Sequence, residues 1–396
     1  MIIKNGLVFW DNKSFINKNL FINNDIISDT DDCSDISVID ASDCYVIPGL
    51  IDIHLHGANG FDISDMVSPY NHSENVSEQK ERSINDFLSY EIQNGITSVC
   101  PTTMSYNFDR LKNVLKSVTE YITRLRTCAP SNGLPPVASL LGINLEGPFL
   151  NPEKCGAQNK TFLTAPDSEA FEELLNQFNI LRLISISPEL EGALNFIERY
   201  HKDICISLAH TDCDYDLAVK AFQLGASHLT HMGNAMNPML SRMPGPIAAA
   251  FDSKNIDVEL ITDGIHVHPS MVRLFFKAFG DERIVMISDS IEACGMPDGE
   301  YSLGGQNVLV KNKKATLPTG TIAGSVFNLM DCFKKAVSEF KIPLESVIKC
   351  CTFNPAKAIG MSHIIGSINI GKAADLLIID KDLNLVKIIK NGVAIN

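Results

Sequence analysis

Six residues in this chain have the types and positions to build one reaction centre: His54, His56, Glu146, His210, His231 and Asp289. The first two lie in Ile47-Pro48-Gly49-Leu50-Ile51-Asp52-Ile53-His54-Leu55-His56-Gly57, a strand pattern that ends in two histidines and a glycine. Residues two apart on a strand face one side, so both imidazoles aim at one point. Neutral imidazoles converging at a buried strand end suit a divalent transition metal. A lone His-x-His is a weak signal, and a single histidine is more often a hydrogen-bonded core or loop residue. What strengthens it is the set, because each of the other four also stands at the end of a strand-like run. Three nitrogen or oxygen ligands leave an open position for water, whose pKa a metal lowers to about 7. A nearby carboxylate can take the water's proton and pass it to a leaving group, and Asp289 suits that role. A metal ligand or a cap within Ser288-Asp289-Ser290 is the plainer reading of Asp289, and the two are compatible.

The elements that must position these residues read as alternating strands and helices. Strand patterns run over Ile96–Cys100, Val137–Asn144, Leu181–Ile186, Ile204–Leu208, Ser227–Thr230, Val258–Thr262 and Ile284–Ile287. Helical patterns cover Glu78–Gln93, Phe108–Leu125, Asp214–Gln223 and Met271–Phe279. With the His-x-His strand this makes about eight strand–helix units, as in a (β/α)8 TIM barrel, with polar residues at the carboxyl ends of the strands. Two loops interrupt the alternation: Pro148–Ala157 after Glu146, and the glycine-rich stretch Gly295–Pro318 after Asp289, which reads as a hairpin insertion. Short strands and turns fill both ends, from Ile2-Ile3 to Val38-Ile39 and from Asp375 to Gly392. The expected architecture is an α/β chain in two parts. Residues 1–46 and 360–396 form a small β-sandwich domain built from both termini, and 47–359 form the metal-dependent barrel.

Composition sets outer bounds. The 396 residues are 45% hydrophobic and 20% charged, as in a globular protein with one large and one small domain. A net charge of −14 argues against a nucleic-acid or anionic-membrane surface, though one local basic pocket for a small anion remains compatible with it. No apolar run is long enough to span a bilayer, and the chain opens on a strand-like segment rather than a signal peptide. Eleven scattered cysteines, without Cys-x-x-Cys, fit reduced thiols in a cytoplasm.

Longer motifs carry a family resemblance over essentially the whole chain. They are the Pro48–Gly57 run, Leu145-Glu146-Gly147-Pro148-Phe149, Ala209-His210-Thr211, Thr230-His231-Met232-Gly233-Asn234-Ala235-Met236, Arg242-Met243-Pro244-Gly245, Asp263-Gly264-Ile265-His266, Ser288-Asp289 and Ile322-Ala323-Gly324-Ser325. The chain resembles the amidohydrolase superfamily and, within it, the N-acetylglucosamine-6-phosphate deacetylases. His-x-His marks the superfamily only; the His-Met-Gly-Asn-Ala-Met run with Arg-x-Pro-Gly is more specific.

The resemblance implies metal-dependent hydrolysis of N-acetylglucosamine 6-phosphate to glucosamine 6-phosphate and acetate. Glu146, His210 and His231 would hold the catalytic metal, Glu146 taking the place of a carbamylated lysine in other superfamily members. His54 and His56 would allow a second ion. Zinc or iron is expected, with manganese or cobalt as alternatives, one or two per subunit. Asp289 would act as base and then acid, and His266 would stabilise the oxyanion. Asn234, Ala235 and Arg242 would bind the sugar phosphate, with Ala157, Ile322 and Ala323 adding sugar contacts. A guanidinium suits a phosphate. The expected partner is the amino-sugar phosphate and a second copy of the chain, in a cytoplasmic homodimer. Two departures stand out: Asn144, where many relatives have histidine, and Ser290, where alanine is commoner. Competing readings are the galactosamine epimer as substrate, a cyclic-amidase or dihydroorotase-like activity, and a non-catalytic scaffold.

Overall fold

The computed structural model describes residues 1–30, 37–66, 74–127 and 136–395. Among the described residues, ten parallel strands lie along the middle of the chain. Two are the short pieces Thr102–Thr103 and Ser139–Leu140; the others are β1 (Leu50–Asp52), β2 (Ile96–Val99), β3 (Ile143–Glu146), β4 (Leu181–Ile186), β5 (Cys205–Leu208), β6 (His228–Leu229), β7 (Asp257–Ile261) and β8 (Ile284–Ile287). Strands β3 to β8, with the short Thr102–Thr103, make a curled seven-stranded parallel sheet in chain order. β2 pairs with β1 on one side and with Ser139–Leu140 on the other. The backbone of Asn144 donates to Pro101 (2.9 Å), and that of Asp289 donates to His54 (2.9 Å). These bonds link the short sheet to both ends of the long one. Every residue of β3 and β8 is buried; β8 accordingly reads as an apolar run, whereas β3 buries Asn144 and Glu146 as well.

Parallel strands need crossover connections, and helices supply them. Pro269–Phe279 shows why such a segment is helical. His268 caps it by accepting from the Ser270 N–H, Pro269 occupies the first turn, and Gly280 ends it with a positive φ (69°) open to glycine. Val272, Phe275 and Phe279 recur on one face and are buried. Burying each stabilises the helix against the sheet by roughly 1.5–3 kcal/mol.

The terminal strands form two further sheets. One has the order Ile26–Ser28, Leu20–Asn23, Ile2–Lys4, Val38–Asp40. The other has the order Val393–Ile395, Leu385–Lys390, Leu376–Ile379, Tyr45–Pro48, Leu7–Trp10, Ser14–Asn17. Ile3, Leu20 and Ile22 of the first share a buried cluster with Val8, Val46, Leu376, Ile378 and Ile389 of the second. A buried ion pair, Lys390 to Asp375 (2.6 Å), lies on the second sheet. Tyr45–Pro48 sits in the middle of that sheet and leads directly into β1 and the histidines.

Three sequence expectations need refinement. The Val137–Asn144 run divides into Ser139–Leu140 and β3, because Gly142 turns the backbone between them (φ 147°). The Gly295–Pro318 insertion is a three-stranded antiparallel unit, Gly299–Leu303, Gln306–Lys311 and Lys314–Thr316. The first strand stops at Asp52, whose carboxylate accepts the His54 N–H (3.2 Å). Both histidines therefore ride on the segment beyond the strand, pinned by bonds to residues 289 and 290.

Candidate active site

The ligand side chains reach one mouth because the chain turns sharply where each strand ends. His210, His231 and Asp289 all have positive φ (45°, 26° and 54°), a conformation that non-glycine residues rarely adopt. Such backbone persists only where the surroundings hold it, and it clusters at functional sites. Gly57 and Gly147 permit two further turns. A β-carbon at Gly57 would stand 1.8 Å from the Phe61 carbonyl oxygen, and one at Gly147, 2.1 Å from the Ser105 hydroxyl.

Two groups of candidate ligands result. Glu146, His210 and His231 have ligand atoms within 4.8 Å of one another, and so do His54, His56 and Asp289; all six residues are buried. Glu146 Oε1 lies 3.0 Å from His210 Nε2 and 2.9 Å from His231 Nε2. Its other oxygen lies 3.3 Å from His56 Nε2, which is 3.4 Å from Asp289 Oδ1. Glu146 thus faces both groups.

The outward nitrogens decide what these rings offer. His210 Nδ1 donates to the Lys154 carbonyl (2.8 Å), His56 Nδ1 to the Thr102 carbonyl (3.0 Å), and His54 Nδ1 to Glu259 (2.8 Å). An acceptor behind each of these three rings holds the Nδ1 proton, so the neutral ring presents a bare Nε2 to the mouth, while a second proton there lets the ring donate to the carboxylates. In a neutral ring that lone pair meets carboxylate oxygens, acceptor against acceptor. His54 Nε2 is buried with no hydrogen-bond partner. A cation among these atoms removes the conflict, so the donor set fits a divalent metal. Charge follows the same geometry. Burial pushes the His56 imidazole down, but the Asp289 and Glu146 carboxylates outweigh it and lift it to about 10. Burial pushes Glu146 up, but His54 and the hydrogen bonds from His210 and His231 hold it well below the usual carboxylate range. Asp289 is lowered despite burial, mainly by the His56 hydrogen bond.

Beside the ligands stands a second chain of contacts. Asp263 accepts His266 Nδ1–H (2.7 Å) and the Ser325 hydroxyl (3.2 Å). Burial works against charge on His266, but Asp263 raises its pKa, and His266 Nε2 points to Asp289 Oδ2 at 3.9 Å.

The cavity over these groups is lined by His56, Glu146, His210, His231, His266 and Asp289. Of the residues expected to bind sugar, Ala157, Asn234, Ala235 and Ile322 also line it. Ala323 does not; it is buried behind, donating to the Ala315 carbonyl. Arg242 stands in an exposed loop and is not part of the lining. The two departures have structural work. Asn144 donates to the Ile53 carbonyl (3.2 Å), tying β3 to the segment before His54. Ser290 donates to the Gly57 carbonyl (2.8 Å), closing the turn after His56.

Several site residues went unread in the sequence. Gln158 donates to Glu146 Oε2 (2.6 Å) and accepts the Ser105 N–H. Gln306, in the inserted unit, donates to the Ala157 carbonyl (2.6 Å), while Leu303 of that unit lines the cavity. Glu259 and His228 lie beneath the ligands. Only Glu259 left a usable signal: a carboxylate inside the apolar run Val258-Glu259-Leu260-Ile261.

Comparison with known proteins agrees with this geometry. The amidohydrolase family model matches residues 45–395. The N-acetylglucosamine-6-phosphate deacetylase of Bacillus subtilis (strain 168) is 34% identical over 355 residues, 89% of this chain and 84% of that protein. An N-acetylgalactosamine-6-phosphate deacetylase of Escherichia coli O157:H7 is 28% identical, over 89% of this chain and 88% of that one. The crystal structure of N-acetylglucosamine-6-phosphate deacetylase from Pasteurella multocida superposes with a TM-score of 0.86 at 28% identity, covering 100% of this chain and 99% of that one.

Proposed function

The chain belongs to the amidohydrolase family, and from that premise we propose that it hydrolyses the acetamide of N-acetylglucosamine 6-phosphate to glucosamine 6-phosphate and acetate. The observation that carries this reading is the complete ligand set, with acceptors behind His54, His56 and His210, opening on one cavity beside Asp289 and His266. A non-catalytic scaffold would have no use for it.

Glu146, His210 and His231 would hold the catalytic metal, and His54 and His56 with Asp289 would provide for a second. When bound, the metal polarises the acetyl carbonyl and acidifies water. The chain's own groups do the rest. Asp289 is held as a carboxylate, so it can take the proton of the attacking water. His266, whose pKa Asp263 raises, donates when protonated from Nε2 to the carbonyl oxygen as negative charge develops there. When the carbon–nitrogen bond breaks, Asp289 returns the proton to the departing amine. Ala157, Asn234, Ala235 and Ile322 orient the sugar, with Ala323 supporting the same wall. Zinc or iron suits the mixed imidazole and carboxylate donors, as do manganese and cobalt.

Arg242 binds the phosphate across a homodimer. What supports this is its exposed loop, which also displays Met239, Leu240 and Met243 to solvent. Exposed apolar side chains grouped on one loop suit a subunit contact. The two parallel sheets are read as one eight-stranded barrel over residues 47–359, and the terminal sheets of 1–46 and 360–396 as a sandwich. Nine unpaired cysteines among the described residues support a cytoplasmic location; no described helix is long and apolar enough to cross a membrane.

The galactosamine epimer is the second reading, favoured by the Escherichia coli relative. Acetate release from both 6-phosphates and from unphosphorylated N-acetylglucosamine, with metal content assayed, tests the metal, the phosphate contact and the choice of sugar. Fast release from the glucosamine compound alone is expected. No release by metal-loaded protein would reject the reaction.

A further inference from the structure

Beneath the two ligand groups lies one carboxylate that touches both. Glu259, on β7, is fully buried. Its Oε2 accepts His54 Nδ1–H at 2.8 Å and the backbone N–H of His231 at 3.0 Å. Its Oε1 lies 3.2 Å from His228 Nε2. His54 belongs to one ligand group and His231 to the other. We infer that Glu259 is a positioning residue that couples the two metal-binding groups, selecting the tautomer of His54 and holding the backbone of His231.

The first half of the argument is tautomeric. Imidazole has two neutral forms, and only the Nδ1–H form offers a lone pair at Nε2. His54 Nε2 faces Glu146 Oε1 at 3.7 Å and Asp289 Oδ1 at 3.6 Å. With no acceptor at Nδ1, the Nε2–H form would turn its proton towards those carboxylates. That would block its nitrogen. Of the two neutral forms, Glu259 selects the one with its proton on the far side, and its charge makes that ring a stronger donor to a cation.

The second half is conformational. The His231 backbone is left-handed, and two groups grip it. Glu259 accepts its N–H, and the Asn234 side chain donates to its carbonyl (3.0 Å). Met232 adds a backbone bond to the Glu259 carbonyl (2.9 Å). Loss of the carboxylate therefore disturbs both groups, but unequally. His54 loses the partner that sets its proton, whereas His231 keeps its other anchors.

The inference rests on the metal-site reading above, and the test separates the two. Apo protein is titrated with cobalt(II) alone, followed by visible absorption, with bound metal counted after gel filtration. Glu259→Gln keeps the shape and an acceptor oxygen but removes the charge; Glu259→Leu removes both. Near-ultraviolet dichroism reports folding. The parent is expected to take up two ions. Glu259→Gln is expected to bind the ion at the His54 group about 10–100-fold more weakly, with the other site changed less. In a His54→Ala background the Glu259→Gln change should have no further effect on that site. Wild-type affinity for both ions in folded Glu259→Gln overturns the inference, as does a parent chain that binds only one ion. Should Glu259→Leu not fold, Glu259→Gln alone decides. A parent that binds two ions yet releases no acetate would sink the reaction and leave the coupling standing.

Discussion

Asp289 carries the heaviest chemical load of any single residue, since it lies against both imidazoles of the first pair and faces His266. Replacing its carboxylate by an amide removes the proton carrier and keeps the shape. Asp289→Asn is expected to lose about 10²–10⁴ in kcat, the range for a general acid–base group, while the Glu146–His210–His231 ion stays bound. Wild-type turnover in that variant would remove Asp289 from the mechanism. Arg242 predicts a different pattern. Arg242→Ala should raise KM at least tenfold for the 6-phosphate and leave the unphosphorylated sugar unchanged; equal effects on both would reject a phosphate contact. At this scale the sequence was most legible where chemistry is rare. His54, His56, Glu146, His210, His231 and Asp289 stand out because titratable groups at the ends of apolar strands have few structural uses, whereas His266 was reached only through the family resemblance. Gln158 and Gln306 did not stand out. An amide that bonds to a carboxylate or a carbonyl looks, in a sequence, like any surface glutamine.

Among the elements, the helix Glu74–Gln93 holds an anomaly. Glu91 is buried, and neither of its carboxylate oxygens has a hydrogen-bond partner. Burial, with the nearby Asp52 charge, pushes its pKa well above the ordinary value. A raised carboxyl pKa means that the folded state holds the proton after the unfolded state has released it. Stability contributed by the neutral group is full below the unfolded pKa and falls as pH rises towards the folded one. Glu91→Leu is therefore expected to stabilise by roughly 1–3 kcal/mol at pH 8 and by less at pH 5, read from urea unfolding. An equal gain at both pH values would place the effect in packing. The terminal sheet offers the opposite case. Lys390 and Asp375 are both buried and pair at 2.6 Å, so Lys390→Ala strands a carboxylate and should cost about 3–5 kcal/mol. The strand–helix alternation was legible because the strands are short apolar runs between periodic helices. The inserted unit was harder to read: its strands are half exposed, and its glycines signalled turns without showing that Leu303 and Gln306 reach the cavity.

For the whole molecule, a cation that binds the two buried ligand groups only in the folded state would stabilise the fold by linkage. Chelation is expected to lower stability by about 2.7 kcal/mol where free metal had stood at one hundred times Kd, seen as a fall in Tm that added metal reverses. An unchanged Tm would mean that the fold does not depend on the ion. The pairing of the two chain ends was only partly legible. Composition marked both as β-rich, but nothing local specifies that Tyr45–Pro48 lies against Leu376–Ile379. That register has a consequence for synthesis. The strand leading to His54 leaves the ribosome more than 320 residues before the strand that covers its edge. At about 5–20 residues per second, the wait is roughly fifteen seconds to a minute. Throughout it, an apolar strand edge stands open next to a half-made metal site. The nascent chain is thus most exposed to mispairing at the stretch its chemistry needs most, and a chaperone that shields this edge has its work finished only when the last strands emerge.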